Sequence, residues 1–353
     1  MIHTLLGNPQ FIQKLKNKKA TFILALSNTQ TANIKGITQA GIPDMIYLTP
    51  TLDSEFLCTG EVKSLGNIAT TPKGVPTPAL LTRAIHLLCH FGRIELLDLG
   101  LEVQPKGDAL SIHHFDLNPS KSIASNAQID AKAVFEKGVL FGQGYVCQDE
   151  YILLGESVPS GTSTATATAL ALGYDAKELF SSSFKNVPNS IRQKTIHQAL
   201  SHLSKDDTIY DKLGKLSDNM LIFNAGFIYG LDPKIKIILA GGTQMAGVLL
   251  VLNSILKHEK LNYNSQNLAL ATTQWVAKDK HSDIKALLEM LDFPIHAYYS
   301  DFTFSKSQHP ALKLYDQGEA KEGVGAGGAL VYGYLNGLSQ EEITEKVEGF
   351  LGS

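Results

Sequence analysis

The residues best suited to chemistry follow an apolar run at 151–154. Small and polar residues run from Gly155 to Gly161 (Gly-Glu-Ser-Val-Pro-Ser-Gly), and an Ala/Thr/Leu run then begins. This order predicts a strand, a tight turn and a helix from 162 to 172. Small turn residues let the backbone approach a ligand, and the unpaired N–H groups at a helix start suit a phosphate. The candidate phosphate-binding residues are therefore Ser160, Gly161, Thr162, Ser163 and Thr164.

Other interpretations of this turn are limited. A triphosphate-binding loop requires a Lys after its last glycine, whereas Thr162 follows Gly161. The glycine spacing of the dinucleotide fingerprint is also absent. A plain capping turn remains the alternative, because Gly, Ser and Thr punctuate many strand-to-helix turns. Glu156 would repel a phosphate, so we expect its carboxylate to face another part of a substrate or to orient the loop.

A second segment places carboxylates beside glycines near the end of the chain. Glu319 and Glu322 precede a glycine-rich run, which contains Gly323, Gly325, Gly327 and Gly328. A carboxylate covered by glycine and alanine is poorly solvated, which raises its pKa and makes it a usable general base. Glu319 lies in a stretch that looks solvated, so Glu322 is the better candidate. The glycines alone would also be explained by close helix packing.

Composition excludes several classes of protein. The 353 residues carry a formal net charge of −3, so the chain lacks the basic surface typical of nucleic-acid binding. Its three cysteines form no Cys-x-x-Cys pair, which argues against a disulfide framework or structural zinc and suits a reducing cytoplasm. His113 and His114 have no carboxylate or Cys at helical ligand spacing, so we expect no metal. The first residues lack the features of a signal peptide.

The remaining elements repeat the rhythm of strand, polar turn and helix. Strands are predicted at 20–26, 44–48, 94–99, 236–239, 268–273 and 294–299. Helices are predicted at 2–18, 79–91, 129–145, 191–203, 218–230 and 340–351, with a turn at 188–190. The apolar stretch 235–256 is interrupted by Gly241 and Gly242, which favours another strand–turn–helix unit over a membrane span.

This rhythm predicts an α/β fold with a doubly wound, mostly parallel sheet flanked by helices. A smaller subdomain would come from the N- and C-terminal segments. The expected division is a segment 1–78, an α/β core 79–310 and a catalytic segment 311–353. Ligands of such sheets lie at the carboxyl ends of the strands. The polar residues expected there include Gly241, Gly242, Thr273 and Asp301.

Three stretches resemble a known family. GESVPSGTSTATATALALGYDA, SNTQTANIKGITQAG and GEAKEGVGAGGALV are similar to segments of nicotinate-nucleotide–dimethylbenzimidazole phosphoribosyltransferases. They most resemble the subgroup of related proteins from archaea and some bacteria. The resemblance implies transfer of the 5-phosphoribosyl group of nicotinate mononucleotide to an aromatic base such as 5,6-dimethylbenzimidazole. The product would be an α-ribazole phosphate-type precursor of the cobalamin lower ligand.

The same resemblance implies roles for particular residues. Glu322 matches the family's general base, with Lys321 in place of the usual glycine, and Gly323 follows it. Lys194 matches a lysine directed towards the nucleotide phosphate, although Arg192 and Lys194 would both oppose the dipole at the start of their helix. Thr273 stands where the family carries an acidic residue. The resemblance also implies a cytoplasmic homodimer that needs no metal or other cofactor and acts on small molecules.

Two other functions fit the same residues. The chain could be a non-catalytic nucleotide-binding or regulatory homologue on the same fold, because fold does not fix function. It could also be a hydrolase that uses water as the acceptor. The sequence does not name the acceptor base, so adenine and other benzimidazoles remain open.

Overall fold

The computed structural model describes residues 1–108, 110–185 and 189–351, and an eight-stranded sheet runs through these ranges. Its spatial order is β1-β8-β7-β6-β5-β2-β3-β4. Strand β1 pairs antiparallel with β8, and every other neighbouring pair is parallel. The strands are β1 (Ile2–Leu6), β2 (Ala20–Leu26), β3 (Arg93–Asp98), β4 (Ile112–His114), β5 (Tyr151–Ser157), β6 (Ile237–Ala240), β7 (Leu268–Thr273) and β8 (His296–Ser300).

Helices connect these strands and cover both faces of the sheet. In chain order the α-helices of the described ranges are α1 (Pro9–Gln13), α2 (Thr49–Thr59), α3 (Ala79–Cys89), α4 (Ala131–Gly144), α5 (Gly161–Ala171), α6 (Asn189–Leu200), α7 (Ile209–Leu216), α8 (Asn219–Gly230), α9 (Thr243–Glu259), α10 (Gln274–Ala277), α11 (Ile284–Glu289), α12 (Pro310–Lys313), α13 (Ala326–Leu335) and α14 (Gln340–Glu348). None of them has the length and apolar composition needed to cross a bilayer.

The sheet is apolar on both sides because its strands alternate between two cores. In β2, Ile23 and Ala25 join the core that includes residues of α4, α5, α8 and α9, whereas Phe22 and Leu24 join the core that includes residues of α3 and α13. Strands buried on both faces read as continuous apolar runs. The predicted α/β class, with a doubly wound and mostly parallel sheet, is confirmed.

The strand order places a crevice between β2 and β5. The chain builds outward from β2 to β3 and β4 on one side, and from β5 to β8 on the other. The connections on the two sides of this switch point diverge, which leaves an opening at the carboxyl ends of both strands. Strand β5 runs three residues beyond the predicted end, so Glu156 and Ser157 lie in the strand itself.

Two predicted elements are wrong. Residues 2–6 form an edge strand instead of helix, because they pair with the open edge of β8. Residues 44–48 are not a strand: Ile46–Leu48 forms a 3₁₀ turn that leads into α2, where Pro50 occupies the first turn. The predicted turn at 188–190 begins outside the described residues, and α6 starts at Asn189.

The structure also removes one argument for a dimer. The apolar helix α13 packs inside the chain against α3 and strands β5 to β8, so its apolar surface needs no second subunit to cover it. The predicted division at residues 78 and 310 stays a prediction. Strand β2, which comes from the first of those segments, lies in the middle of the sheet.

Candidate active site

A cleft opens beyond the carboxyl end of β5. It holds about 890 Å³ of empty space, counted together with the solvent at its mouth. Six segments and Val276 line it, with residues from 38–53, 69–78, 156–162, 181–183, 242–244 and 320–324. Among the residues predicted for the site, the lining includes Glu156, Ser160, Thr162, Gly242, Glu322 and Gly323.

The β5–α5 turn forms one end of this cleft. Ser160 adopts a left-handed conformation with φ 62°, and its hydroxyl is buried without a hydrogen-bond partner among the described residues. The main-chain N–H groups of Ser160 and Thr162 likewise donate to no described residue. A Cβ on Gly161 would lie 2.1 Å from Oε1 of Gln244, so glycine permits this close approach. Unused donors at a helix start form a site suited to a phosphate.

Two other predicted residues of this turn point into the protein. The Thr164 hydroxyl donates to the Asp218 carboxylate and also lies 2.9 Å from Gly161 O. Ser163 is buried, does not line the cleft, and its N–H donates to Ser160 O at 2.8 Å. These contacts hold the turn in shape and leave Ser160 and Thr162 to face the cleft.

Glu322 lies in the loop before α13, and four donors surround its carboxylate. Oε1 accepts from the N–H of Gly327 at 2.9 Å and of Gly323 at 3.3 Å. Oε2 accepts from the N–H of Thr273 at 3.1 Å and from the Thr272 hydroxyl at 3.2 Å. Burial raises the pKa of Glu322 to about 7, although these four hydrogen bonds favour the ionised form.

Glycines allow the carboxylate to sit this deep. A Cβ on Gly327 would lie 2.3 Å from the Thr272 backbone and 2.6 Å from Glu322 Oε2. A Cβ on Gly242 would lie 3.3 Å from Glu322 Cγ. Gly241 precedes Gly242 at the start of α9 and lies outside the cleft lining. Close helix packing therefore explains these glycines only in part, because the same glycines also shape the site around Glu322.

Glu156 faces the same cleft as a second buried carboxylate. Its Oε2 accepts one hydrogen bond, from the N–H of Val158 at 3.1 Å. Burial and the charge of Glu322 raise the pKa of Glu156 to about 8. Two nearby carboxylates with few compensating charges do not both ionise readily, so the first proton is lost from the better-solvated or better-bonded partner. Four hydrogen bonds stabilise ionised Glu322 and one stabilises ionised Glu156, so Glu322 loses its proton first and Glu156 keeps its proton to higher pH.

A third buried carboxylate, Asp53 on α2, was missed in the sequence. Its Oδ1 accepts from the Thr77 hydroxyl at 2.6 Å and its Oδ2 from the Ser157 hydroxyl at 2.7 Å. Burial raises its pKa to about 6. No local pattern pointed to it, because α2 has a weak amphipathic pattern and its partners are remote in sequence.

Two ion pairs hold the loop before Glu322: the buried pair of Lys321 with Asp279, and the pair of buried Glu319 with Lys73, whose side chain is exposed. Lys321 donates to Asp279 Oδ2 at 2.8 Å and to Phe184 O at 3.3 Å, and it lines the cleft. Glu319 was expected to be solvated, which is wrong: only 2% of its surface is exposed, and it pairs with Lys73 and Gln39. Burial alone would raise the pKa of Glu319, yet the hydrogen bonds from these two partners lower it.

The same loop carries unusual backbone conformations. Ala320 and the β-branched Val324 have φ of 47° and 52°. Gly323 and Gly325 between and beside them also have positive φ, at 145° and 70°. A β-branched residue in this region is strained and persists only where surrounding contacts determine it, which occurs preferentially at functional sites.

Two predicted site residues lie away from the cleft. Lys194 is exposed on α6, and the buried cation of that helix is Arg192, which donates to Phe180 O, Ser181 O and Thr162 O. Asp301 pairs with His3 at 2.9 Å and helps to fix β1 on β8. Thr273 lies beneath the cleft. Its N–H donates a hydrogen bond to the Glu322 carboxylate, and its hydroxyl donates to Lys321 O at 2.7 Å.

Metal binding has no obvious location. Within the described ranges, no group of three or more His, Cys, Asp or Glu side chains is arranged to hold a metal ion. The expectation that neither a metal nor another cofactor is needed stays a prediction.

The fold defines a class of protein. A nicotinate-nucleotide-dimethylbenzimidazole phosphoribosyltransferase from Thermus thermophilus superposes with a TM-score of 0.59 over 97% of this chain and 92% of its own, at 12% sequence identity. A structure of CobT from the same organism gives a TM-score of 0.58 at 13% identity. At these identities the likeness shows a shared fold.

Sequence relatives define the family. The UPF0284 protein of Sulfurisphaera tokodaii is 34% identical over 336 residues, which is 94% of this chain and 93% of the relative. That of Saccharolobus solfataricus is 35% identical over 337 residues, with 94% and 92% covered. The chain belongs to the UPF0284 family. No protein-family model matches it. The resemblance recognised in the sequence is confirmed by this fold and by these archaeal relatives.

Proposed function

We propose that the protein transfers the 5-phosphoribosyl group of nicotinate mononucleotide to an aromatic nitrogen base, of which 5,6-dimethylbenzimidazole is one example. The nucleotide phosphate would bind the free N–H groups and the hydroxyl of the Ser160–Thr162 turn. The acceptor base would lie against Glu322. The product would be an α-ribazole phosphate-type nucleotide that serves as a precursor of the cobalamin lower ligand.

The reaction needs one proton transfer. Glu322 takes the proton from one ring nitrogen of the acceptor while the other nitrogen attacks C1′ of the ribose. The bond from C1′ to the nicotinate nitrogen breaks, and its electron pair neutralises the pyridinium. Attack from the opposite face inverts C1′ and gives the α configuration. General-base help of this kind contributes roughly 10²–10⁴-fold to a rate.

The observation that carries the proposal is the state of Glu322. Burial raises its pKa to about 7, which suits a base near neutral pH, and its four hydrogen bonds favour ionisation of Glu322 over Glu156, which accepts one. All four lone-pair sites of the Glu322 carboxylate are occupied, so an incoming N–H must replace one donor. The Gly323 N–H is the longest of these contacts, at 3.3 Å, and is the contact expected to give way.

A second candidate function is supported by the same hydrogen bonds. A fully bonded carboxylate also serves to fix the start of α13, which is a structural role. On that interpretation the protein binds a nucleotide without converting it. Lys321, which replaces the glycine implied by the resemblance, ties the loop down further.

One experiment separates these functions. The protein is incubated with nicotinate mononucleotide, alone and with an acceptor base, and released nicotinate and new nucleotide are quantified by chromatography. Base-dependent release of nicotinate with matching product supports the transferase. Release without a base indicates a hydrolase. Calorimetric binding of the nucleotide without any release would overturn the transferase in favour of the non-catalytic binder.

The oligomeric state also remains to be tested. The resemblance implies a homodimer, and light scattering over a wide concentration range checks it. A monomer throughout that range would contradict this expectation.

A further inference from the structure

Asp53 is a buried carboxylate on the cleft wall that the transfer mechanism does not use. Only 3% of its surface is exposed, and it lines the cleft. Its two hydrogen bonds come from neutral hydroxyls, those of Thr77 and Ser157, and no described cation forms an ion pair with it. An ionised carboxylate has roughly four acceptor positions. Two positions therefore remain for a donor that comes from the ligand.

Asp53 lies between the two ends of the cleft, because its partner Ser157 leads into the phosphate turn and its partner Thr77 leads towards Glu322. Its partner Thr77 precedes Pro78, and a Cβ on Gly323 would lie 3.6 Å from Pro78 Cγ. The buried Tyr315 lies close to both carboxylates, since burial and then the charges of Asp53 and Glu322 raise its pKa. Its hydroxyl donates to Pro76 O at 2.6 Å on the same wall. The phosphate end, around Ser160, faces Gln244 instead.

We propose that Asp53 is a specificity-determining residue that accepts a hydrogen bond from an exocyclic amino group of the acceptor base. The acceptor class is then an amino-substituted aromatic nitrogen heterocycle such as adenine, in preference to a ring that carries only methyl groups. This inference rests on the proposed transferase function. It adds the substrate class, which the position of Glu322 alone does not give.

The energetic reason is the cost of an unpaired buried charge. A methyl group placed against Asp53 would displace water and return no hydrogen bond, which is unfavourable for a buried carboxylate. A site built to hydrogen-bond a substrate group rejects analogues that lack the group far better than an apolar pocket rejects an extra methyl. A hydrogen bond to a charged group contributes about 1.5–3 kcal/mol, which corresponds to a preference of roughly 10- to 150-fold.

The test compares adenine with purine, which lacks only the amino group. For the wild-type protein with nicotinate mononucleotide, kcat/KM for adenine should exceed that for purine by roughly 10- to 150-fold. In Asp53→Ala this ratio should fall to about one, with the purine rate nearly unchanged. The matched control is Asp292→Ala, an aspartate that is 61% exposed on the surface, and it should keep the wild-type ratio.

A second variant protects the test against misfolding. Asp53→Ala leaves the Thr77 and Ser157 hydroxyls without their acceptor, whereas Asp53→Asn keeps the shape and one oxygen. The asparagine variant should reduce the adenine preference to roughly 2- to 10-fold, because a neutral hydrogen bond is weaker. Circular dichroism and the nucleotide affinity report whether each variant is folded.

Ribose hydroxyls are the other donors that could meet Asp53, and the same data distinguish them. A loss that is equal for adenine and purine in Asp53→Ala would overturn the inference in favour of ribose recognition. A wild-type protein without preference for adenine would also overturn it. If no base is transferred, the proposed function fails by itself. Calorimetric affinities of adenine and purine for the nucleotide-bound protein then test Asp53 independently.

Discussion

The two ends of the cleft are built in different ways. The phosphate end consists of consecutive residues, from Val158 to Thr162, and its shape follows from the end of a strand, a turn and a helix start. The acidic end assembles Asp53, Glu156 and Glu322 from segments more than a hundred residues apart in the chain. The first is a binding surface made from backbone donors, whereas the second is a set of buried carboxyl groups with raised pKa values.

Under the proposed function, the phosphate end governs the affinity for the nucleotide, and the acidic end governs the chemical step. Backbone N–H groups provide a fixed positive potential that does not change with pH. The acidic end depends on the protonation state of each carboxylate, which burial and neighbouring charges set. Substitutions at the two ends should therefore affect different measurements.

The largest effect is expected for Glu322→Gln. Turnover should fall by roughly 10²–10⁴-fold, because glutamine cannot take the proton from the acceptor base. The wild-type rate should rise as the pH increases towards about 7, where Glu322 becomes ionised. The rate of the variant should not show this rise. Steady-state kinetics from mildly acidic to mildly alkaline pH, with a verified acceptor base, would measure both.

Nucleotide affinity is the internal control for that variant. Glutamine places an NH₂ group against main-chain donors, so some stability is lost, about 1–3 kcal/mol for an unmatched buried group. Calorimetric affinity for nicotinate mononucleotide should nevertheless change little, because the phosphate end is untouched. Normal turnover in Glu322→Gln would move the base assignment to Glu156, because Glu319 is ion-paired outside the cleft lining.

A smaller effect, on stability, is expected for Glu156→Gln. The pKa of Glu156 is 4.5 in the unfolded chain and about 8 in the fold, so between these values the folded protein holds a proton that the unfolded chain has lost. The free energy of unfolding should fall as the pH rises through this window, by up to about 1.4 kcal/mol per pH unit. Above pH 8 the Glu156 carboxyl is ionised in both the folded and the unfolded protein, and the full cost of burying its charge lowers the free energy of unfolding.

Urea denaturation at the two ends of this window, near pH 5 and near pH 8, measures the effect. Wild type should lose roughly 2–4 kcal/mol more than Glu156→Gln between the two values, and the variant should be the more stable protein at the alkaline end. Equal losses for both proteins would show that Glu156 is ionised in the fold at neutral pH, and the assignment of the shared proton would then be wrong.

Ser160 and Thr164 offer a smaller test within one turn. Ser160→Ala removes a buried hydroxyl that has no described partner, so the free energy of unfolding should hold or rise while nucleotide affinity falls about tenfold. Thr164→Val removes a donor to Asp218, so unfolding should become easier by about 1–3 kcal/mol with affinity nearly unchanged. Calorimetry and urea denaturation check the pair, and the reverse pattern would contradict the phosphate assignment.

The success of the sequence-based predictions follows the same division. Strand β7 and the β5–α5 unit were predicted well because alternation, apolar runs and glycine turns are local signals. Strand β1 was missed because its pairing with β8 joins residues almost 300 positions apart. Burial of Glu319 and the approach of Asp53 depend on contacts with Lys73 and Ser157 that no local pattern encodes.

The smallest effect is expected for Lys194→Ala. The resemblance directs this lysine towards the nucleotide phosphate, yet its side chain is exposed on α6 and does not line the cleft. Nucleotide affinity should therefore stay within about twofold of wild type, as for an ordinary solvated charge. Arg192→Met is the matched comparison, because it removes hydrogen bonds to Thr162 O and the Thr166 hydroxyl. That change should lower stability by roughly 2–4 kcal/mol. A tenfold loss of affinity in Lys194→Ala would show that α6 moves towards the phosphate when the nucleotide binds, and that the phosphate end is not built from local backbone donors alone.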